Sequence, residues 1–392
     1  MMKPVLVNDF EDEQGLHFVI KDIPLAVANA IRRTILSDIP TLVIRTENSK
    51  INQCTIHANT SRFHNEIVKQ RLSCIPIHSK ELETFPLKYR LIVNVKNDSV
   101  HELRWVTTKD FKIQDKQTEQ FMDELEVQKL FPVDTLSNQP IDFLRLRPGI
   151  GSTVQGEQIH LVADFSVSNA KENGMFNVVS KCAFSNVVDV DVREKVWAVQ
   201  LQTLKDENRT AEEIEFERKN YMNLDAYRCF KTDEHGEPNE FDFLVKTVGI
   251  YTNYEILFMA CEIVEKRFHQ FIHEVQSQVV PIHESKDSPD LGYTTVTVSS
   301  IENSFDIILE GEDYTFGYLL EHYLHLMFYS DESNEELVYI GFKKYHPHDT
   351  FSVIRMAFKT PSTAALLSKQ YLIQACTEIT KVMETLKEKA RR

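Results

Sequence analysis

Strict alternation of apolar and polar side chains marks two stretches of the chain, residues 87–95 and 159–167. Because successive side chains of a strand point to opposite faces, this period predicts strands with one buried face. Shorter apolar runs elsewhere have strand character with a less regular pattern. They predict strands at residues 16–20, 42–46, 241–249, 294–298, 305–309, 337–343 and 351–358.

A helix is predicted directly after the first of the shorter runs. Asp22 is a residue type that caps helices, and a first helical turn tolerates Pro24. Apolar residues recur at helical spacing through Ile31 and Ile35. The residue before a proline avoids the helical region, so this helix is expected to end before Pro40.

Helical spacing of apolar residues also recurs further along the chain. It predicts helices at residues 61–72, 212–224, 252–275, 314–328 and 362–389. Thr252 and Glu255 form a capping box for the third of these, and Ser362 follows Pro361 as the cap of the last. The last helix keeps a narrow seven-residue repeat, which is typical of a helix that packs along another helix.

These elements repeat a common plan. A strand, a short acidic turn and a helix with an early small residue (Ala28, Gly317) occur twice, and a long amphipathic helix closes each part. Two such parts would bury their apolar helix faces against one another. The proline-containing stretch between them is interpreted as a linker.

The composition restricts the function. The chain of 392 residues has a formal net charge of −15 and a pI near 5.4. Non-specific binding to nucleic acid needs an excess of lysine and arginine, so no direct DNA binding is expected and the partners should be proteins. No apolar run approaches the roughly 20 residues that span a bilayer, and residues 1–10 lack the pattern of a secretory signal, so no membrane contact is expected.

A twelve-residue segment carries the most specific motif. Residues 29–40, NAIRRTILSDIP, closely resemble the signature helix of the RNA polymerase α-like family. That family includes the bacterial α subunit, the archaeal D subunit and the third-largest subunit of eukaryotic polymerase II. Residues 59–77 resemble the family's next helix. Residues 144–148, 157–163 and 241–249 then follow in the order that the family predicts.

The C-terminal part is similar to the smaller partner in this family, the archaeal L subunit or the eleventh subunit of polymerase II. Residues 312–317, EDYTFG, resemble its opening motif, although Tyr314 and Tyr318 replace the more common histidine and asparagine. One chain that carries both partners resembles the fused arrangement of large DNA viruses that encode their own polymerase. That arrangement implies a cytoplasmic location at the viral transcription site, with packaging in the virion or a nuclear location left open.

The resemblance implies an α+β fold with two dimerisation domains, each a sheet plus helices, packed pseudo-symmetrically. The first is expected to comprise residues 1–45 and 241–280, with a mainly β insert domain at 46–240. A linker at 281–291 leads to the second dimerisation domain at 292–392. The implied function is that of a non-catalytic assembly platform for the two large catalytic subunits of a DNA-directed RNA polymerase, active in transcription.

The resemblance also assigns residues to contacts. Arg32 and Arg33 lie on the helix that faces the second-largest polymerase subunit in the family, so both are expected to form charge-assisted bonds to it. Four more residues are assigned to the same neighbour, with a role in helix surface or packing left open: Phe63, Glu66, Lys69 and Arg71. The intramolecular dimer contacts are assigned to Ile31, Ile35, Phe316, Leu320, Ile379 and Leu386. The largest subunit and the small polymerase subunits are the other expected partners.

An unrelated metal-dependent hydrolase is the alternative. Its metal would be held by histidines at short spacing, which are His269 and His273, His322 and His325, or His346 and His348. No HExxH motif accompanies them and the six cysteines form no CxxC pair, so no metal or cofactor is expected. The pair Asp189 and Asp191 is the nearest approach to a catalytic aspartate cluster and is interpreted as a strand end or loop.

Overall fold

A computed structural model describes residues 4–47, 49–134, 136–150, 154–285, 290–291, 294–295, 301–330, 336–361 and 364–391. The predicted cap Ser362 and residues 296–298 of the strand predicted at 294–298 lie outside these residues. The chain divides into two compact units. Unit 1 contains the residues up to Ile35, then Lys181–Lys246 and those from Asn253 onward, whereas unit 2 contains Leu36–Ser180 and Thr247–Thr252. Residues 181–240, predicted as part of the insert, therefore group with unit 1.

The strands agree with most of the alternating and apolar runs, and residues 337–343 and 351–358 have the predicted bounds. The run predicted as a strand at 42–46 is a strand only as far as Val43. In one run, however, Phe85–Lys88 form a helical turn and the strand begins at Tyr89, because Pro86 suits a first helical turn. The strands are β1 (Val5–Asp12), β2 (Gly15–Lys21), β3 (Thr41–Val43), β4 (Cys54–Asn59), β5 (Tyr89–Lys96), β6 (Arg104–Thr107), β7 (Lys112–Asp115), β8 (Asp142–Leu146), β9 (Gln158–Asp164), β10 (Ser166–Ser168), β11 (Val179–Asn186), β12 (Glu240–Thr247), β13 (Ile282–Glu284), β14 (Asp290–Leu291), β15 (Thr294–Thr295), β16 (Ser304–Glu310), β17 (Leu337–Lys343) and β18 (Phe351–Phe358).

Every predicted helix is present, and the sequence analysis missed one long helix. The helices are α1 (Leu25–Ser37), α2 (Asn65–Ser73), α3 (Phe85–Lys88), α4 (Glu124–Leu130), α5 (Val190–Asp206), α6 (Ala211–Asn223), α7 (Asn253–Gln276), α8 (Tyr314–Leu324) and α9 (Ala364–Ala390). Asp191, interpreted together with Asp189 as a strand end or loop, lies instead in α5. Asp189 itself lies in the loop before that helix, as interpreted. Its carboxylate accepts a hydrogen bond from the Val192 amide at 3.0 Å and caps α5.

Unit 1 contains two four-stranded sheets with the same strand order. The first sheet has the order β1-β2-β12-β11 and the second β13-β16-β18-β17. In the first, α1 follows β2 and α7 follows β12. In the second, α8 follows β16 and α9 follows β18. We call β1, β2, α1, β11, β12 and α7 the first half, and β13, β16, α8, β17, β18 and α9 the second half.

The helices of the two halves also repeat one burial pattern. The sequences of α1 and α8 can be aligned without gaps so that Ile31 corresponds to Leu320. With this shift in numbering, each buried residue of α1 corresponds to a buried residue of α8. Likewise, the shift that places Phe271 of α7 on Leu386 of α9 places each buried residue of α7 on a buried residue of α9. The two halves therefore turn corresponding helix positions toward the core of unit 1.

The core of unit 1 forms where apolar strand faces meet apolar helix faces. Phe18 of β2 stacks on its cross-strand neighbour Phe243 of β12, with ring centroids 5.1 Å apart. The long helices α7 and α9 pack along one another, as the narrow apolar repeat of the last helix predicts. The observed mixture of sheets and helices confirms the α+β fold class.

Unit 2 is mainly β. Its largest sheet has the order β4-β9-β5-β7, and two-stranded sheets pair β6 with β8 and β10 with β3. Leu91, Val93, Leu161 and Ala163 lie in its core, as the alternation predicted. The short helix α2 packs against β8. No helix in the described part of the chain is both long and apolar enough to cross a bilayer.

Candidate pairing interface and partner-binding residues

An aromatic contact lies at the centre of the interface between the two halves of unit 1. Phe316 of α8 stacks on Phe268 of α7 with ring centroids 4.3 Å apart, and it meets Phe271 edge-on at 5.1 Å. The guanidinium carbon of Arg267 lies 5.3 Å from the centre of the same ring. Such contacts combine a large buried apolar area with a preferred orientation of the rings. They fix α8 on the face of α7.

Charged groups surround this aromatic contact. Arg267 donates to the Glu312 carboxylate in the turn before α8 and also pairs with Glu274 on its own helix. Lys387, near the end of α9, donates to Glu265 of α7. Less than a third of each of these side chains is exposed. Partial burial weakens solvent screening, so these pairs are stronger than exposed surface pairs.

Arg33 lies at the same interface. Its Nε donates to Thr315 Oγ1 at 2.6 Å, and its guanidinium is 3.5 Å from the Asp313 carboxylate. Asp313 is the N-cap of α8 and accepts a hydrogen bond from the Thr315 amide at 2.9 Å. One arginine of α1 thus contacts the N-cap and a first-turn residue of the corresponding helix in the second half. If Arg33 also bonds to a large polymerase subunit, as expected, its guanidinium must bind that subunit in addition to Thr315 and Asp313.

Arg32 has a different environment. Its guanidinium donates twice to Asn29 Oδ1, at 2.7 and 3.2 Å, within α1. Among the described residues no carboxylate lies within 4.0 Å of it, and the side chain is half-buried. The asparagine holds the guanidinium in one orientation without neutralising it. Arg32 can therefore bind a carboxylate of another protein.

The six residues assigned to intramolecular contacts are all buried in unit 1. Ile31 and Ile35 lie on α1, Phe316 and Leu320 on α8, and Ile379 and Leu386 on α9. The sequence analysis did not find the charged interface residues Arg267, Glu312, Glu265 and Lys387. Polar residues beside an apolar stripe usually face solvent, and no local signal indicates a partner 45 or 122 positions away.

In unit 2, the remaining assigned residues lie on α2 and just before it. Phe63 is 38% exposed and Glu66 is exposed, so both can meet a partner. Lys69 is half-buried. Arg71 donates to the Phe143 and Asp142 carbonyls at 2.7 and 3.0 Å, which anchors its guanidinium to β8. Ile67, 40% exposed beside Glu66, extends this surface and was not predicted.

The histidine pairs differ in environment. His322 is half-buried, and loss of solvent around its ring lowers its pKa; its buried Nε2 has no hydrogen-bond partner in the described part of the molecule. His269 and His273 lie on α7, where His273 shares a hydrogen bond with Ser277 Oγ. His346 and His348 lie near each other with ring centroids 5.2 Å apart. Within the described ranges, no group of three or more His, Cys, Asp or Glu side chains could hold a metal ion.

The cysteines give a direct test of the fold. Cys74 is exposed, whereas the other five thiols are buried and free. Burial raises the pKa of Cys54 to about 11 and that of Cys182 and Cys261 to about 12. Because the thiolate is the reactive form, one thiol should react rapidly with a disulfide reagent at pH 8, and all six after unfolding in urea. Absorbance of the released thiolate measures both numbers. Cys74→Ser should remove the rapid phase, and a second rapid thiol would contradict the fold.

The shared strand order of the two sheets, the packing of α7 along α9 and the ion pairs of Arg267 and Lys387 define a protein with an extensive helix-packing interface inside unit 1. The family model described as the RNA polymerase Rpb3/Rpb11 dimerisation domain matches residues 17–268, more than half of the chain. The chain therefore belongs to the RNA polymerase Rpb3/Rpb11 dimerisation-domain family, which confirms the resemblance of its N-terminal motif.

Individual relatives agree with this assignment. The chain is 23% identical to the DNA-directed RNA polymerase subunit Rpo3 of Pyrococcus horikoshii over 288 residues, which covers 70% of this chain and 98% of that protein. For Rpo3 of Methanosphaera stadtmanae the identity is 20% over 298 residues, 69% of this chain and 98% of the relative. A human protein, DNA-directed RNA polymerases I and III subunit RPAC1, is 37% identical over 68 residues, 17% of this chain. That match spans only 18% of the human protein's length. These relatives give no support to the hydrolase alternative.

Proposed function

We propose that this chain is a non-catalytic subunit of a multisubunit DNA-directed RNA polymerase and serves as the platform on which the large catalytic subunits assemble. The repeated strand order and burial pattern of the two halves carry the proposal. The family match ends at residue 268, within α7. The second half lies beyond it and repeats the same plan, so we infer that the chain contains both dimerisation partners in one polypeptide.

The fusion has a physical advantage. Two separate partners must meet by diffusion, whereas partners joined by a linker face each other at an effective concentration of roughly millimolar. The interface between the halves can then form without a bimolecular step. The fusion also favours the proposed viral origin and a cytoplasmic site of transcription. The platform role itself requires no cofactor.

The proposed contact with the second-largest polymerase subunit centres on Arg32. Its guanidinium is pre-oriented by Asn29 and lacks a carboxylate partner among the described residues. A carboxylate of the partner would complete a charge-assisted pair. Arg33 is a secondary candidate because it already contacts α8. On unit 2, Phe63, Glu66 and Ile67 provide an exposed surface for a polymerase subunit.

Co-purification from cells that make the complete polymerase tests the proposal. Tagged wild-type chain should recover the largest, the second-largest and the small polymerase subunits. Arg32→Glu should lower recovery of the second-largest subunit by at least about thirtyfold, because loss of one partner from a buried charge pair costs about 2–5 kcal/mol. Quantitative mass spectrometry of the eluate measures the ratio.

Arg218 provides the matched control. It is an exposed arginine on α6, and Arg218→Glu makes the same change of charge. Recovery with this variant should equal that of the wild type. The proposal fails if the wild-type chain recovers no large polymerase subunit. The assignment of Arg32 fails if Arg32→Glu and Arg218→Glu recover equal amounts.

A further inference from the structure

We propose that the ion pairs between the two halves of unit 1 determine which surfaces pair: they favour first-half to second-half contact and disfavour contact of either half with a copy of itself. This inference rests on the proposed function, in which the halves are two dimerisation partners. Among the residues that the structure describes, the cross-half ion pairs are Arg33 with Asp313, Arg267 with Glu312, and Glu265 with Lys387.

The repeated burial pattern identifies the corresponding position of each charged residue in the other half. The shift that relates α1 to α8 places Arg33 on His322, and it places Pro24 and Ile23, which precede α1, on Asp313 and Glu312. Asp313 and Glu312, the acidic partners of the second half, thus correspond to uncharged residues of the first half. The contact of Arg33 with the start of α8 has no charged counterpart on the opposite side.

The long helices show the same asymmetry. The shift that relates α7 to α9 places Arg267 on Val382 and Glu265 on Thr380. Continued along the helix, it places Ile272 on Lys387. Each cross-half ion pair therefore occurs once. When its two residues are replaced by the residues at the corresponding positions of the opposite halves, at least one of the two is uncharged.

This asymmetry decides which pairings are favourable. Two first halves would place Arg33 and Arg267 beside the uncharged positions of Pro24 and Ile23. Two second halves would place Glu312 beside Val382, with no cation for its carboxylate. Removing a charge from water without a partner is costly, and this cost is the usual physical basis of selectivity against a wrong partner. Only the pairing of a first half with a second half satisfies all three pairs.

The degree of burial makes this selection effective. Glu265 is 13% exposed and Lys387 21%, so their charges are largely withdrawn from solvent. Coupling between such charges across an interface is stronger than between rim residues. The apolar contacts carry less selectivity, because buried apolar residues occupy corresponding positions in both halves. We therefore assign affinity mainly to the apolar residues and pairing specificity to the ion pairs.

A cleavable version of the full chain tests the inference. A protease site is inserted after Val279, an exposed residue between α7 and β13, and the folded protein is cut so that each fragment carries one of the two halves. Native mass spectrometry then records whether fragments remain as unlike pairs or re-sort into like pairs. The wild type should stay as unlike pairs. Glu265→Lys and Lys387→Glu should each accelerate separation of the fragments by at least about tenfold, and the double swap should restore most of the loss.

Lys266 provides the matched control on the same helix. It pairs with Glu262 of α7 at 3.1 Å, within one half, so Lys266→Glu changes charge without touching the interface. Its fragments should separate at the wild-type rate. The inference is overturned if wild-type fragments re-sort into like pairs in statistical proportion, if Lys387→Glu separates no faster than Lys266→Glu, or if the double swap separates as fast as the single variants. Capture of polymerase subunits is measured separately, so a chain that pairs as described but captures none refutes only the proposed function.

Discussion

Replacement of Asp306 by alanine is expected to destabilise unit 1 by about 3–5 kcal/mol, because it leaves a largely buried arginine without its partner. Asp306 is 1% exposed, and its two carboxylate oxygens accept from Arg355 at 2.6 and 2.7 Å. The two residues face each other across β16 and β18. Ser285 Oγ also donates to the carboxylate at 2.8 Å.

Urea unfolding can report this loss for unit 1 alone. Trp197 is buried in unit 1, so its fluorescence reports that unit once Trp105 of unit 2 is replaced by phenylalanine. The double replacement Asp306→Leu with Arg355→Met should recover most of the stability, because an apolar pair removes both buried charges. A loss below about 1 kcal/mol for Asp306→Ala would show that solvent reaches the pair and that the second sheet is looser than described.

Substitution of Gly15 is expected to have the next largest effect. Its φ is +130°, a conformation that side chains disfavour, and a Cβ there would lie 2.3 Å from the Val245 carbonyl oxygen of β12. Backbone strain and overpacking each cost about 1–3 kcal/mol, so Gly15→Ala should lose about 2–5 kcal/mol. Hydrogen exchange should show the loss of protection concentrated in β2 and β12, where pairing must separate to admit the methyl group.

Gly174 provides the control for this experiment. A Cβ at this position meets no atom within 4 Å, so Gly174→Ala should leave the unfolding free energy nearly unchanged. If Gly15→Ala matched this control, the first sheet could not have the close approach of β2 and β12 that defines its order. Equal protection of all strands in the variant would lead to the same conclusion.

The local periodicity of apolar residues was sufficient to predict the long helices and many of the strands, with the exception of α5. The alternation at residues 159–167 gave β9 and β10, and the helical spacing around Ile31 gave α1. Helix α5 was missed because valines at positions 190, 192, 196 and 199 have low helix propensity and leave no single apolar stripe. Trp197 is its one buried residue, whereas Val199 is 70% exposed.

The charged residues of the interface were harder to predict for a different reason. The arginine pair was found through its motif, but adjacent arginines point in different directions from a helix. Arg32 bonds within its own helix, whereas Arg33 meets Thr315, 282 positions away. A spacing pattern identifies the face on which a residue lies but not the residue it meets. Residues that pair over such separations in sequence can be identified only from the three-dimensional positions of both sheets.

Because unit 1 is discontinuous in sequence, some of its elements are synthesised long before the elements that cover them. Its polypeptide begins with β1, is interrupted after Ile35, resumes at Lys181 and ends with α9. The apolar face of α7 is covered by α9, which is synthesised after all strands of both sheets. Contacts so distant in sequence close slowly. A nascent chain must therefore carry the uncovered apolar face of α7 from residue 276 until α9 is made, and premature termination in this interval should yield an aggregation-prone product rather than a shorter working subunit.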